Sequence, residues 1–200
     1  MSAHRKILKK DLVLAKIMQT QPICMLDLRT PVWVHLCGSI MSQQLSTKVA
    51  AVIYDRFLQL FPKKKPTLKA VLDLPYDQLR GIGLSNAKTQ YVRNVCLFFK
   101  ENKLSDARLQ AMTDEQLIDQ LTQIKGVGKW TVEMILMFTL AREDVFALDD
   151  LGIQQAMTKA YQLESLDKKQ LRIRMQEIAE QWRPYRTYAC RYLWGWKDAG

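Results

Sequence analysis

The chain has 200 residues, 48% of them hydrophobic and 25% charged, and its 30 Lys and Arg against 20 Asp and Glu give a formal net charge of +10. This composition is typical of a soluble globular protein with one sizeable core or two small subdomains, and it excludes a disordered or fibrous chain. The positive charge favours a polyanionic partner, because Lys and Arg side chains that neutralise phosphates release condensed counterions.

The few cysteine and histidine side chains predict no metal site and no cofactor. Cys24, Cys37, Cys96 and Cys190 form no CxxC pair, which argues against a zinc ribbon or an iron–sulfur cluster. The N-terminus has no signal-peptide pattern, and no segment reaches the roughly 20 apolar residues that span a bilayer. We therefore expect a monomer with reduced thiols and no membrane contact, located in the cytoplasm (nucleoid-associated) or the nucleus and not secreted.

Hydrophobic periodicity predicts helices along almost the whole chain and no strand. Thr30 before Pro31, Ser46, Ser85 and the Thr113-x-x-Gln pattern are helix-start signals. The predicted helices cover 5–19, 31–43, 47–61, 67–72, 76–80, 86–100, 114–123, 129–141, 151–161, 167–182 and 184–196. Helices joined by short loops predict an all-α fold.

A glycine turn joins two of these helices at Gly126-Val127-Gly128. Glycine permits a positive φ angle and a close approach of another backbone, and the N–H groups of residues 128–131 at a helix N-terminus suit a phosphate oxygen. The pattern is typical of a DNA-binding helix-hairpin-helix motif; the alternative is a helix corner that binds nothing. Residues 78–83 repeat the pattern weakly, and we interpret that repeat as local turn chemistry.

A pair of carboxylates, Asp149 and Asp150, comes one helix and one loop after the hairpin. In isolation such a pair before a helix is ordinarily an N-cap. Its position, 22 residues after the second hairpin glycine, fits one helix and a return loop, and the N-terminus of the next helix favours the ionised carboxylate.

Four motifs in this order resemble the helix-hairpin-helix Gly/Pro…Asp superfamily of DNA glycosylases, and within it the 3-methyladenine DNA glycosylase II group. The motifs are Ile40–Ser46, Gly126–Thr131, Asp149–Ile153 and Trp182–Trp194. The sequence departs from the group at Lys125, where proline is usual, and at Met134, where a pocket tyrosine can occur.

The resemblance implies two helical subdomains flanking a DNA-binding cleft. One is 32–142 and contains the hairpin at about 121–131; the other is 1–31 plus 143–200 and carries the catalytic Asp at its junction. The implied activity is a monofunctional DNA glycosylase of base excision repair. It flips an alkylated, 3-methyladenine-like base out of double-stranded DNA and hydrolyses its N-glycosidic bond to leave an abasic site.

The resemblance also assigns residues to these roles. Asp150 is the catalytic residue. The base-pocket candidates are Trp130, Trp194, Met134 and His35, and the DNA-binding candidates are Gly126, Gly128, Lys129, Thr131, Gln44 and Leu45. Either Gln44 or Leu45 fills the gap that the flipped base leaves. The alternatives remain plain core packing for Trp130 and Trp194, and a buried loop anchor for Gln44 and Leu45.

Two other functions fit part of the pattern. A non-enzymatic helix-hairpin-helix module needs the hairpin and the charge but not Asp150. A bifunctional glycosylase/lyase for oxidised bases needs a lysine nucleophile, and in the family alignment its place corresponds to Trp130. Lys129 is one residue away, which turns its side chain by about 100° on a helix. Since Trp cannot form a Schiff base, Trp130 favours base removal without strand cleavage.

Overall fold

The computed structural model describes residues 2–22 and 30–199, and this part of the chain is helical, with no strand. The all-α prediction is therefore confirmed. In chain order the helices are α1 (Ala3–Leu8), α2 (Leu12–Thr20), α3 (Val32–Ser42), α4 (Thr47–Gln59), α5 (Leu68–Asp73), α6 (Tyr76–Arg80), α7 (Asn86–Glu101), α8 (Asp106–Gln110), α9 (Asp114–Leu121), α10 (Lys129–Phe138), α11 (Leu151–Tyr161), α12 (Lys168–Glu180) and α13 (Arg186–Ala199), with a short 3₁₀ helix at Pro62–Lys64.

The described residues divide into two compact units. The first contains residues 2–22 and 136–199, and the second contains residues 30–135. The division lies inside α10, whereas the sequence placed it after residue 142. Residues 23–29 of the predicted N-terminal segment, with Cys24, lie outside the described part of the chain. No helix of the described ranges is long and apolar enough to cross a membrane.

The second unit is organised around α7, which packs against α3, α5 and α6. The apolar face of α7 is buried, and so are six side chains of α3. This burial explains why the sequence of α3 is apolar nearly all round: a helix in the centre of a unit has little solvent-facing surface. The thiols of Cys37 on α3 and Cys96 on α7 are free and buried in this core.

The first unit packs α13 against α2 and α11, and α11 against α12. Asp11 joins α2, the end of α11 and the turn that follows α12. One carboxylate oxygen accepts hydrogen bonds from the N–H groups of Val13 and Leu14, and the other accepts from the hydroxyl of Tyr161 at 2.6 Å and the indole N–H of Trp182 at 2.9 Å. Burial and the contact with Asp11 raise the pKa of Tyr161 well above its ordinary value, so its phenol stays protonated and remains a donor.

Several predicted helices differ from the structure. The helix predicted to begin at Pro31 after a Thr30 cap begins at Val32, with Pro31 in the N-cap position and no side-chain cap. The single helix over 5–19 is two, because Asp11 caps α2 and ends the run from α1. Helix α8, which begins after the cap Ser105, was missed. The last helix begins at Arg186 and not at Pro184.

Candidate functional site

Asp150 lies at the N-terminus of α11 and caps it. Its Oδ1 accepts the backbone N–H of Ile153 at 2.8 Å and the indole N–H of Trp194 at 2.8 Å. Two donors on one oxygen hold the half-buried carboxylate in a single orientation at the positive end of a helix dipole. Such a group can stabilise a positive charge that develops beside it.

Asp149 has a different environment from its neighbour. It is exposed, and its carboxylate forms an ion pair with the guanidinium of Arg172 on α12. The capping function that an Asp pair predicts therefore belongs to Asp150, which is also the proposed catalytic residue. The two roles are compatible, because the cap uses Oδ1 and keeps the carboxylate charge.

Trp194 reaches Asp150 because residue 152 is a glycine. A Cβ atom at Gly152 would lie 3.0 Å from Oδ1 of Asp150 and 3.1 Å from Cδ1 of Trp194, which is closer than ordinary van der Waals contact. On its other side the indole packs against the ring of Phe138, with 5.7 Å between ring centroids. The sequence predicted a stacking surface at Trp194; the structure adds a hydrogen-bond donor to Asp150.

The C-terminal motif holds the loop that leads from α10 to Asp150. Arg186 donates from Nε to Oδ1 of Asp144 at 2.7 Å, and from Nη2 to the backbone carbonyl of Asp144 at 2.8 Å. Next to it, the hydroxyl of Thr187 donates to the carbonyl of Arg142 at 2.6 Å and accepts the N–H of Val145 at 3.0 Å. These contacts give the motif a physical role, which is to anchor the chain ahead of the Asp pair.

In the second unit the hairpin turn joins α9 to α10. Gly126 adopts φ +104°, and the ring of Tyr91 on α7 lies directly against it, so that a Cβ atom there would be 2.4 Å from Cγ of Tyr91. Gly128 has no atom within 4 Å of its Cβ position. Sequence reasoning treated the two glycines alike, but the structure separates a packed glycine from one that faces open space.

The predicted residues of α10 differ in exposure. Trp130 is 43% exposed, whereas Thr131 and Met134 are buried. Lys129 is exposed, and its Nζ lies 3.7 Å from the carboxylate of the buried Glu133. A DNA contact by Thr131 therefore uses its backbone N–H, which precedes the first intrahelical bond of α10, from Val132 N to Gly128 O.

The turn between α3 and α4 presents Gln44 and Leu45. Gln44 is exposed with φ +59°, a left-handed conformation that is unusual for a residue other than glycine, and Leu45 is 38% exposed. The side chain of Gln43 donates to the carbonyl of Gly126 at 3.4 Å, which links this turn to the hairpin. The alternative of a buried anchor for Leu45 is wrong.

His35 is on α3 and lines a groove between α3 and α4 of about 440 Å³. Tyr54 of α4 and Gly38 of α3 line the same groove. Burial lowers the pKa of His35, which favours the neutral imidazole. Its place in a base pocket stays a prediction.

Each unit thus brings some of the predicted residues into contact. In the first unit Asp150 and Trp194 are hydrogen bonded, and in the second the hairpin and the α3–α4 turn are linked through Gln43.

The residues 2–22 and 30–199 contain no group of three His, Cys, Asp or Glu side chains that could hold a metal ion. Sequence reasoning did not single out Tyr91, which packs against Gly126, and it included Gly152 only as part of the motif that begins with the Asp pair.

Comparison with known proteins gives consistent matches. The family model described as "HhH-GPD superfamily base excision DNA repair protein" matches residues 37–184. DNA-3-methyladenine glycosylase 1 of Schizosaccharomyces pombe is 33% identical over 162 residues, covering 80% of this chain and 70% of that protein. A Bacillus subtilis relative is 34% identical over 161 residues, and this chain covers 55% of its length.

Solved structures agree with the sequence matches. A crystal structure of a DNA-3-methyladenine glycosidase from Bacillus halodurans superposes with a TM-score of 0.83 at 34% identity, covering 96% of this chain and 88% of that one. A 3-methyladenine DNA glycosylase of S. pombe in complex with abasic DNA has a TM-score of 0.82 at 28% identity, covering 96% and 95% of the two chains. The family match and the sequence identity to these relatives show that the chain belongs to the HhH-GPD superfamily of base excision DNA repair proteins.

Proposed function

We propose that this protein is a monofunctional DNA glycosylase that excises alkylated bases, 3-methyladenine-like, from double-stranded DNA and leaves an abasic site. The observation that carries the proposal is the Asp150 carboxylate, oriented at a helix N-terminus by Ile153 and Trp194. The names of its relatives support the substrate class.

The chemistry follows from the charge of Asp150. When the bond between C1′ of the sugar and the base nitrogen breaks, its electron pair leaves with the base and the sugar becomes an oxocarbenium-like cation. The nearby carboxylate stabilises that cation. Water then forms the new C1′–O bond and loses a proton to the carboxylate or to solvent. An alkylated purine that carries a positive charge leaves as a neutral base, so the step needs no general acid.

The second unit supplies the proposed DNA contacts. The backbone N–H groups at the start of α10, beside Gly126, Gly128 and Lys129, bind phosphate oxygens. Gln44 or Leu45 enters the stack where the base has left. The resemblance also assigns Trp130, Trp194, Met134 and His35 to the recognition of the base, since an aromatic face can stack on a cationic base. The net charge of +10 strengthens duplex binding in general.

The substrate class is tested with duplexes that each carry one defined lesion. Duplexes with 3-methyladenine, 7-methylguanine or 8-oxoguanine, and an undamaged duplex, are incubated with excess protein and the released bases are separated by chromatography. We expect release from the alkylated duplexes and none from the undamaged one. Release of 8-oxoguanine alone would contradict the alkylation assignment, and binding without any release would favour the non-enzymatic module.

A further inference from the structure

One face of α7 contacts both of the turns that the proposed function brings to DNA. Lys88, Tyr91 and Asn94 follow one another at intervals of three, which places them on the same side of the helix. Lys88 contacts the α3–α4 turn, Tyr91 packs on Gly126, and Asn94 donates to the carbonyl of Lys125 at 3.4 Å. A single rigid helix therefore sets the position of one turn relative to the other.

Lys88 makes the strongest of these contacts. Its Nζ donates to the carbonyl of Gln43 at 2.6 Å and to the carbonyl of Met41 at 3.1 Å. These carbonyls belong to the C-terminal end of α3, where backbone acceptors lack intrahelical donors and the helix dipole attracts a cation. The side chain is half-buried, and partial removal from water lowers the pKa of Lys88.

The turn that Lys88 holds is strained. Gln44 has φ +59°, a left-handed conformation that is unfavourable for a residue other than glycine. A further hydrogen bond closes the turn, from Leu45 N–H to Ser42 O at 3.1 Å, and Gln43 ties it to Gly126. Strain of this kind persists only where surrounding contacts over-determine the conformation, and Lys88 provides two of them.

We propose that Lys88 is a positioning residue for base extrusion, an inference that rests on the proposed glycosylase function. Lys88 holds the Gln44–Leu45 turn in register with the hairpin, so that the inserting side chain is already ordered when the hairpin grips the phosphates. Extrusion costs the free energy of unstacking and unpairing the base. A turn that had to become ordered during the same step would add its conformational entropy to that barrier.

The experiment compares Lys88→Met, which keeps the aliphatic stem, with Lys88→Arg, which keeps the donor and the charge. Lys100→Met is the matched control, because Lys100 is an exposed residue of the same helix and its loss changes the net charge equally. The probe is a duplex with 2-aminopurine beside a tetrahydrofuran abasic-site analogue, in which insertion of a side chain changes the fluorescence. Affinity for an undamaged duplex of the same sequence is measured in parallel.

We expect Lys88→Met to bind the undamaged duplex within about twofold of Lys100→Met, because both remove one positive charge. The rate of the fluorescence change should fall about tenfold in Lys88→Met alone, since a charge-assisted hydrogen bond is lost. Lys88→Arg should recover most of that rate. Equal fluorescence rates in Lys88→Met and Lys100→Met, or an equal loss of duplex affinity and fluorescence rate in Lys88→Met, would overturn the proposal.

Gln43→Ala keeps the test decisive if Lys88→Met does not fold. It removes only the side-chain link to Gly126 and should slow the fluorescence change about threefold; an unchanged rate would contradict the coupling of the two turns. The fluorescence readout needs no bond cleavage. A wild-type protein that shows the fluorescence change on this duplex and releases no base from the alkylated duplexes would therefore contradict the glycosylase function, while the Lys88 comparison still decides the positioning role.

Discussion

Asp150→Asn is expected to lower the single-turnover excision rate on an alkylated duplex by on the order of a hundred- to a thousandfold. The Asn side-chain oxygen can still accept the N–H groups of Ile153 and Trp194, so the cap and the orientation of Trp194 survive. What is lost is the negative charge that the oxocarbenium-like transition state needs. DNA binding should survive or tighten, because the repulsion of phosphate is relieved.

Asp149→Asn is the matched control, with the same chemical change one residue earlier. It removes an exposed ion pair with Arg172, and exposed pairs contribute little to stability. Its excision rate should stay within a few-fold of the wild-type rate. An inactive Asp149→Asn beside an active Asp150→Asn would show that the catalytic register is wrong by one. Full activity in both variants would leave the carboxylate mechanism without support.

The two hairpin glycines should respond differently to alanine. Gly126→Ala should lower the free energy of unfolding by about 3 kcal/mol, because it combines a positive φ with a collision against Tyr91. Gly128→Ala should change stability by less than about 0.5 kcal/mol, since open space surrounds its Cβ position. Urea titration of both variants measures the difference.

The affinity of Gly128→Ala for duplex DNA tests the proposed contact of the hairpin. Gly128→Ala should weaken binding to duplexes of any sequence, because the added methyl group would lie where the proposed function places a phosphate. A stable Gly128→Ala protein with unaltered duplex affinity would show that the hairpin does not bind the DNA backbone. Adding Tyr91→Ala to Gly126→Ala should restore part of the lost stability, because it removes the ring atoms at 2.4 and 2.6 Å but leaves the backbone strain and the Cβ of residue 91 at 2.7 Å. No recovery would show that the ring of Tyr91 is not the main obstacle.

Much of the fold was predictable because its signals are local. Ser46, Ser85 and Thr113 cap the helices that were predicted to follow them, and the side chain of each accepts the expected backbone N–H. The weak repeat between residues 78–83 and 123–128 shows the limit of such reasoning. The positive φ falls on Gly83 in the first copy and on Gly126 in the second, which are not equivalent positions. The two similar sequences therefore form different turns.

The site was harder to predict, because its contacts join distant parts of the chain. The motif around Asp150 was visible, but the donation from Trp194, which lies 44 residues away, depends on how α13 packs on α11. Lys88 likewise contacts carbonyls 45 and 47 residues earlier. Periodicity places Lys88 and Tyr91 on one helix face, but it does not say which turn that face meets.

The products formed from one alkylated duplex test the central claim, base removal without a covalent intermediate, most directly. The duplex is incubated with the wild-type protein in the presence of borohydride, and in parallel without it, and the strands are analysed before and after alkali. In the sample without borohydride we predict a free alkylated base and strands that break only after alkali. In the sample with borohydride we predict no protein–DNA adduct, because Trp130 cannot form a Schiff base. A borohydride-stable adduct at Lys129, or strand cleavage before alkali, would contradict the account.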